Sequence, residues 1–272
     1  MDATSFQQHI YDYFNKQGRT LPWRSHPTPY NVFISEVMLQ QTQVPRVIQK
    51  FEEFMKVFPD FATLAKAQLP ELLKVWSGLG YNRRALNLKK AAQIIIDQHN
   101  GNLPESIQEL DALPGIGPAT AASIAAFAFN KPVVFIETNV RSVFIHHFFA
   151  GQQQVTDTQL LPLVEKTLDR ANARKWYSAL MDYGSMLKKQ QDNPSQKSKH
   201  YTKQSKFIGS DRQIRGALLK LFISNPSLTH SQVLAQLPFD ASRINIILKD
   251  LKEEGFIQEK DTFLSLKSSQ AL

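Results

Sequence analysis

The sequence predicts an all-α fold followed by a small winged-helix-like module. Apolar residues recur at three- and four-residue spacing along most of residues 1–187, which is the period of an amphipathic helix. Proline and glycine separate these segments. After residue 213, three short helical patterns precede a hairpin pattern, and this is the element order of a winged helix. The apolar VVFI at 133–136 is too short and isolated to indicate a sheet.

The predicted helices follow one another closely along the chain. They cover residues 6–16, 32–42, 46–58, 69–77, 83–98, 106–112, 119–129, 139–149, 158–168 and 175–187, and then 214–223, 231–237 and 242–254. The stretch GFIQEKDTFLSL reads as a hairpin that turns near Lys260 and Asp261. These patterns predict a helical domain at 1–187, a basic linker at 188–212 and a winged-helix-like domain at 213–272.

The positive charge is concentrated in one segment. The net charge is +8, and residues 183–215 contain eight basic and two acidic side chains. A solvated linker and a polyanionic partner both explain such a run. The module that follows has balanced charge, so protein docking, a packing role and DNA contact all remain open for it.

The residue inventory excludes several kinds of protein. The chain contains no cysteine, which excludes disulfides and thiolate-bound metal or iron–sulfur clusters. No run of about eighteen apolar residues occurs, so no membrane span is expected. The N-terminus lacks the pattern of a secretory signal, and a reducing cytoplasm is the expected location.

The stretch LPGIGPATAASIAAFAF combines a tight turn with an apolar helix. Gly115 and Gly117 allow positive φ and close backbone approach, and the proline that follows suits a first helical turn. Such a turn directs backbone N–H groups outward at a helix N-terminus, where they can bind phosphate. An ordinary connection between helices is the alternative. The apolar Leu113 and Ile116 favour a helix-hairpin-helix, which positions a duplex without reading its sequence.

Two carboxylates accompany apolar runs. Glu36 interrupts NVFISEVMLQQTQV, and burial of an unpaired carboxylate is costly because the charge loses its hydration. Apolar surroundings raise the pKa of such a group and keep it protonated. An exposed place on an amphipathic helix is the alternative for Glu36. Glu137 ends an apolar run and precedes a predicted helix, so helix capping is its alternative role.

Six stretches together resemble a known superfamily. They are LPWR (21–24), SEVMLQQTQV (35–44), GLGYNRRA (78–85), LPGIGPATA (113–121), ETNVRSV (137–143) and MDYGSM (181–186). This set resembles the helix-hairpin-helix DNA glycosylases, most closely the MutY-type adenine glycosylases. The resemblance implies a fold of two helical lobes, double-stranded DNA with a mispaired or damaged base as the partner, and a monomer.

The resemblance also assigns roles to individual residues. It implies that Glu36 is the catalytic acid that protonates the adenine leaving group, that Glu137 is the second carboxylate and that Asn139 lies close to both. It implies that Gln41 and Tyr81 insert into the base stack beside the extruded nucleotide. Further DNA-binding candidates are Gln40, Arg83, Arg84, Gly115, Gly117, Ala119, Thr120, Lys188 and Lys189. Hairpin carbonyls between Leu113 and Gly117 could hold a monovalent cation, and no other metal is expected.

The implied chemistry explains why two carboxylates are needed. Cleavage of an N-glycosidic bond leaves a poor leaving group and an oxocarbenium-like sugar. One carboxyl must be protonated near neutral pH to donate to the base, and Glu36 fits this role. The other must stay ionised to stabilise the sugar cation. Glu137, at a helix N-terminus, would have its anion favoured by the helix dipole. The target base must first be flipped out of the duplex.

Several positions depart from the family pattern. Ala119 stands where the lyase branch has a nucleophilic lysine, so Lys-dependent strand cleavage is not expected. MDYGSM is followed by LKKQQDNPSQKSKHYTKQSK, which lacks the four cysteines of the family's iron–sulfur cluster. Glu137 stands where the family has aspartate. Residues 213–266 look too short for the domain with which MutY enzymes recognise 8-oxoguanine.

These departures leave three functions open. The first is a monofunctional glycosylase in base excision repair that removes adenine opposite guanine or 8-oxoguanine. The second keeps the chemistry and changes the base, to uracil or thymine opposite guanine or to a deaminated or oxidised purine. The third is a catalytically inactive protein that binds DNA damage.

Overall fold

The computed structural model describes residues 2–190 and 192–267. Its elements are α1 (Ala3–Gln17), α2 (Pro22–Ser25), α3 (Pro29–Leu39), α4 (Val44–Val57), α5 (Phe61–Lys66), α6 (Leu69–Trp76), α7 (Arg83–His99), α8 (Ile107–Asp111), α9 (Pro118–Phe129), α10 (Thr138–Phe148), α11 (Asp157–Lys166), α12 (Ala173–Gln190), a 3₁₀ helix (Pro194–Lys197), α13 (Asp211–Ser224), β1 (Leu228–Thr229), α14 (His230–Gln236), α15 (Ala241–Glu253), β2 (Ile257–Lys260) and β3 (Phe263–Leu266). The predicted helical fold with a C-terminal winged-helix-like module is confirmed. None of the described helices combines the length and apolar character needed to cross a membrane.

Two compact units divide the described chain. The first combines the residues up to Val37 with Leu103–Lys203. The second combines Met38–Asn102 with the residues from Gln204 onward. Each unit therefore combines two separate stretches of the chain, whereas the sequence predicts three consecutive segments. The predicted domain boundaries stay a prediction.

Helix α12 lies at the centre of the first unit, where it packs against α1, α9 and α10. Trp176 and Tyr177 are fully buried on it. The buried Asp182 accepts hydrogen bonds from Arg19 (Nη2–Oδ1 2.6 Å) and Arg24 (Nη1–Oδ1 2.9 Å). Because several donors satisfy this carboxylate, its burial is compensated. The pair of arginines thereby ties the segment that leads into α3 to α12.

The second unit is built around helices α4 to α7. Trp76 is fully buried at the end of α6, and its Nε1–H donates to the carbonyl of Gly80 at 3.1 Å. Arg84, near the start of α7, stacks over the Trp76 ring with 5.3 Å between its Cζ and the ring centroid. These contacts order the turn between α6 and α7, which carries Tyr81.

The C-terminal module belongs to the second unit. Its three strands form an antiparallel sheet in the order β1-β3-β2, with Ile257 opposite Leu266. Helix α13 packs against α15, β3 and α6. Asp261, with φ of 56°, occupies the turn of the predicted hairpin. The strand β1 was not predicted, because two residues are too few to show a period.

Candidate active site

Glu36 lies on α3 among side chains that are removed from water. Val32, Phe33 and Val37 are at most 4% exposed, whereas Glu36 itself is partly accessible. Thr28 Oγ1 accepts from the N–H of Asn31 at 3.1 Å and so caps the first turn of α3, which Pro29 opens. The predicted apolar setting of Glu36 is therefore present.

The neighbours of Glu36 favour its protonated form. Burial raises its pKa to about 7, from 4.5 for an ordinary glutamate, and the negative charge of Glu137 acts in the same direction. Ser123, buried on α9, donates a hydrogen bond to Glu36 Oε2 at 2.6 Å, and this bond and Arg24 oppose the rise. A carboxyl with a pKa near 7 can hold and release a proton at neutral pH.

Glu137 is the N-cap of α10, so the capping role that the sequence left open is present. Its Oε1 accepts from the backbone N–H of Asn139 at 2.5 Å and of Val140 at 3.0 Å. Its Oε2 accepts from Asn139 Nδ2 at 3.2 Å. Although its side chain is one methylene longer than that of aspartate, Glu137 thus accepts from backbone N–H groups in the first turn of α10.

Burial raises the pKa of Glu137 above its ordinary value, which differs from the expectation that the helix N-terminus alone would favour the anion. Lys188 and the donors on Val140 and Asn139 lower it, but do not cancel the loss of hydration. Glu137 nevertheless accepts three hydrogen bonds that stabilise its charge, whereas Glu36 accepts one such bond from Ser123. The two carboxylates therefore have different hydrogen-bonding environments, and their catalytic roles stay a prediction.

Asn139 lies between Glu137 and a lysine of α12. Its Oδ1 accepts from Lys188 Nζ at 2.9 Å. Lys188 is partly buried, whereas the neighbouring Lys189 is exposed. The structure thus gives the two predicted DNA-binding lysines different surroundings.

The predicted hairpin is a tight turn between α8 and α9. The N–H of Ile116 donates to the carbonyl of Leu113 at 3.1 Å, and both side chains are buried. Gly115 has φ of 80° and Gly117 is the N-cap of α9. Both glycines and Ala119 are exposed, and Thr120 is partly buried. Phosphate binding and a monovalent cation at this turn stay predictions.

The predicted wedge residues lie in the second unit. Gln41 is exposed with φ of 56°, next to the partly buried Gln40, and Tyr81 has φ of 47°. The Tyr81 hydroxyl accepts from Arg212 Nη1 at 2.8 Å and from Gln204. The guanidinium of Arg212 also stacks over the Tyr81 ring, with 5.5 Å between its Cζ and the centroid.

Two adjacent arginines have different environments. Arg83 is exposed and pairs with Glu254 of the C-terminal module. Arg84 is 9% exposed, and its guanidinium donates to acceptors on both neighbouring turns. These acceptors are the carbonyls of Met38, Gln40, Leu79 and Gly80 and the hydroxyl of Thr42, at 2.6 to 3.1 Å. Arg84 therefore holds the turns that present Gln41 and Tyr81, and a phosphate contact by Arg84 would compete with these bonds.

Sequence reasoning did not find Ser123, Arg24, Gln204 or Arg212. Ser123 had a weak signal, since it is one of two hydroxyl residues in an otherwise apolar helix of small side chains. The other three contact residues that are distant in the chain. Among the described residues, no group of three or more His, Asp or Glu side chains is placed to hold a metal ion. The four-thiolate ligand set of an iron–sulfur cluster does not fit a chain without cysteine.

Comparison with known proteins identifies the family. Residues 34–238 match the model of the HhH-GPD superfamily of base excision DNA repair proteins. The chain belongs to this superfamily. The match begins within α3, just before Glu36, and extends through the hairpin, Glu137 and Lys188 into the C-terminal module. The resemblance drawn from the sequence motifs is thereby confirmed.

HhH-GPD proteins similar to this chain include named adenine glycosylases. An adenine DNA glycosylase of Buchnera aphidicola is 37% identical over 189 residues, which is 69% of this chain and 54% of the relative. One from Mycobacterium tuberculosis is 30% identical over 236 residues, 76% of this chain and 75% of the relative. The chain spans about half the length of the first of these relatives.

Solved structures with the same fold include other glycosylases. A thermostable thymine-DNA glycosylase is 25% identical, with a TM-score of 0.62 over 72% of this chain and 91% of that one. A 3-methyladenine DNA glycosylase of H. pylori, 16% identical, has a TM-score of 0.55 over 70% of this chain and 98% of that one. The second likeness concerns the fold alone.

Proposed function

We propose that this chain is a monofunctional DNA glycosylase that hydrolyses the N-glycosidic bond of a mispaired adenine, opposite guanine or 8-oxoguanine, in double-stranded DNA. The observation that carries the proposal is the contrast between its two carboxyl groups. Burial raises the pKa of Glu36 to about 7 although the Ser123 hydroxyl donates to it, whereas Glu137 accepts three hydrogen bonds from described residues at the start of α10. The adenine glycosylases among its relatives support the choice of base.

Glu36 acts as the general acid in this mechanism. Its protonated carboxyl donates to a ring nitrogen of the flipped adenine, and the bonding electrons of the glycosidic C–N bond leave with the base. The sugar becomes an oxocarbenium-like cation. Adenine departs as a neutral base because it has gained the proton of Glu36.

Glu137 stabilises the cation that forms on the sugar. Its ionised carboxylate provides negative charge and accepts a proton from the water that attacks C1′. The hydrogen bonds from Asn139 and Val140 hold this carboxylate in place. The products are free adenine and an abasic site. Ala119 has a methyl side chain at the start of α9 and supplies no amine for a Schiff base, so this mechanism includes no strand cleavage.

The DNA contacts in this proposal come from the hairpin before α9 and from the turns that carry Gln41 and Tyr81. The exposed turn at Gly115 and Gly117 supplies phosphate-binding N–H groups at the N-terminus of α9. Gln41 and Tyr81 fill the space left by the flipped nucleotide. The strained backbone of both residues, with positive φ, is consistent with side chains that are presented for function.

A base-excision panel tests this function. End-labelled duplexes carry A opposite 8-oxoguanine, A opposite G, A opposite C, T or U opposite G, and hypoxanthine. Each is incubated with wild type, with Glu36→Gln and with the control Glu52→Gln, which changes an exposed glutamate on α4. Each product is divided and analysed with and without alkali.

Alkali-dependent cleavage confined to adenine, lost in Glu36→Gln and kept in Glu52→Gln, is the expected result. Thymine release opposite G would favour a second candidate, which the likeness to the thymine-DNA glycosylase supports. If no base is released from any duplex and the protein binds the duplexes tightly, the proposed enzymatic function is wrong and the protein binds DNA damage without catalysis. Loss of binding in Glu36→Gln would make Glu36 a structural residue and contradict the mechanism.

A further inference from the structure

Lys188 contacts the group that orients Glu137. Its Nζ lies 2.9 Å from Asn139 Oδ1, and Asn139 Nδ2 lies 3.2 Å from Glu137 Oε2. The three side chains therefore form a continuous chain of hydrogen bonds from α12 to the N-terminus of α10. Met181 Sδ, also on α12, lies 3.7 Å from the same Nδ2.

The chemistry of these groups determines which way the Asn139 amide points. An ammonium group only donates hydrogen bonds, and an ionised carboxylate only accepts them. Lys188 therefore requires the oxygen of the Asn139 amide, which leaves the NH₂ group to face Glu137. The ionised carboxylate favours the same orientation, but a protonated Glu137 could equally donate to the amide oxygen, and Lys188 opposes that arrangement by engaging this oxygen.

The packing of α12 allows Lys188 to reach this position. A Cβ atom at Gly184 would lie 2.5 Å from the backbone oxygen of Asn139 and 2.8 Å from its Cβ, so only glycine permits this approach. Gly184 and Lys188 are four residues apart and lie on the same face of the helix. The close approach at Gly184 thus places Lys188, one turn further along, beside Asn139.

We propose that Lys188 is a positioning residue for base excision, an inference that rests on the proposed function. It orients the Asn139 amide so that the amide donates to Glu137, and it provides the positive charge that faces this carboxylate. Two other charged groups interact with this pair: the negative charge of Glu137 raises the pKa of Glu36, and the positive charge of Arg141 lowers the pKa of Lys188. Burial lowers the pKa of Lys188, and the negative charge of Glu137 opposes that change because it favours the ammonium form.

This role differs from the phosphate contact that the sequence predicts for Lys188. A lysine that neutralises a phosphate contributes to affinity, and its loss reduces the salt dependence of DNA binding by about one unit of slope. A positioning lysine contributes to the rate and to the ionisation of Glu137. The exposed Lys189 remains suited to the phosphate contact.

The test compares Lys188→Met, Lys188→Arg, Lys189→Met and Lys166→Met. Methionine is unbranched and keeps most of the length of the lysine side chain without its charge. Lys166 is exposed at the end of α11 and serves as the matched lysine control. For each variant, duplex affinity is measured at several salt concentrations, and the single-turnover rate of base release is measured from pH 4.5 to 9. The titration of Glu137 is followed by NMR of ¹³C-labelled glutamate side chains without DNA, with Glu137→Gln to assign the signal.

For Lys188→Met we expect at least a tenfold slower release at pH 7, an affinity within twofold of wild type and an unchanged salt slope. The acidic limb of the rate profile and the NMR titration of Glu137 should both move to higher pH, because the ionised form has lost its cation. Lys188→Arg should restore much of the rate of base release and much of the wild-type titration of Glu137. Lys189→Met should leave the Glu137 titration in place, and Lys166→Met should match wild type throughout.

A weaker affinity and a shallower salt slope in Lys188→Met, with the Glu137 titration unmoved, would overturn the proposal in favour of a phosphate contact. The NMR readout needs no substrate. If wild type releases no base, the proposed function fails on the excision panel, while an unmoved Glu137 titration in Lys188→Met contradicts the positioning role independently.

Discussion

Ser123 on α9 donates a hydrogen bond to Glu36 on α3, with 2.6 Å between Ser123 Oγ and Glu36 Oε2. The same hydroxyl lies 2.9 Å from the carbonyl of Thr120. A hydroxyl both donates and accepts. It donates to Glu36 when that group is ionised. When Glu36 is protonated, the carboxyl can donate to Ser123 and Ser123 to Thr120. Ser123 therefore accommodates a general acid in both of its protonation states.

The pH dependence of base release follows from the pKa of Glu36. Only the protonated carboxyl can donate to the base, and its pKa is raised to about 7. We expect the single-turnover rate to fall as pH rises through about 7, approaching about tenfold per pH unit at higher pH. Rates measured under saturating enzyme from pH 5.5 to 9 check this. A rate that stays constant up to pH 9 would show that Glu36 is not the proton donor.

Removal of Ser123 should move this alkaline limb. The hydrogen bond from Ser123 favours the ionised form of Glu36, so its loss raises the pKa further. For Ser123→Ala we expect the limb to shift upward by on the order of one pH unit. Ser178→Ala, which removes another buried serine hydroxyl of the first unit, is the control and should leave the limb in place. A downward shift in Ser123→Ala would contradict the assigned direction of the hydrogen bond.

Glu36→Gln should stabilise the protein above neutral pH while it removes activity. The folded state binds the proton of Glu36 more tightly than the unfolded chain does. Wild-type stability therefore falls as pH rises from about 4.5 to 7 and does not recover above that window. Glutamine avoids this cost. We expect the free energy of unfolding of Glu36→Gln to exceed that of wild type by about 2 to 3 kcal/mol at pH 8 and by much less at pH 5.

Urea titrations at the two pH values measure this difference. The exposed Glu52→Gln should change the free energy of unfolding by less than about 0.5 kcal/mol at both. Equal stabilisation by Glu36→Gln at pH 5 and pH 8 would point to improved packing and not to the ionisation of Glu36.

Local patterns in the sequence were sufficient to predict the apolar surroundings of Glu36, the tight turn of the hairpin and most helices. The apolar neighbours of Glu36 are adjacent in sequence, and long helices such as α7 and α9 display several turns of their period. Short elements escaped prediction for the same reason. The four residues of α2 and the six of α5 show too little of a period to be distinguished from loops.

The partners of the site residues could not be predicted, because they are distant in the chain. Ser123 is 87 residues from Glu36, and Lys188 is 49 residues from Asn139. Arg83 and Arg84 look alike in the sequence, but adjacent residues of a helix point about 100° apart. Only the packing of α7 decides that Arg83 faces solvent and Glu254 while Arg84 faces the interior.

Arg84 should contribute to stability in the absence of DNA. Arg84→Met removes one donor from each of its acceptors on the two turns, of which the carbonyl of Gly80 keeps its bond from Trp76. Each buried acceptor that is left without a partner costs about 1 to 3 kcal/mol. We expect a total loss of about 2 to 4 kcal/mol in the free energy of unfolding. Arg84→Lys should not restore it, because one ammonium cannot serve acceptors on both turns. The exposed Arg46→Met is the control and should change little. A stable Arg84→Met protein with weak DNA affinity would instead support the phosphate contact.

Gly184 should tolerate no side chain, although alanine is the better helix former. The added Cβ would lie 2.5 Å from the backbone oxygen of Asn139, so α12 and the start of α10 must move apart. We expect Gly184→Ala to lower the free energy of unfolding by about 1 to 3 kcal/mol and to slow base release, because the same shift displaces Asn139 and Glu137. Gly216→Ala, inside α13, places the new Cβ with no described atom within 4 Å apart from its neighbours and the backbone of its own helix, and should stabilise the protein by about 0.5 to 1 kcal/mol. Urea denaturation of both variants decides the matter. Stabilisation by both alanines would mean that α10 and α12 are not in the contact that places Lys188 beside Asn139.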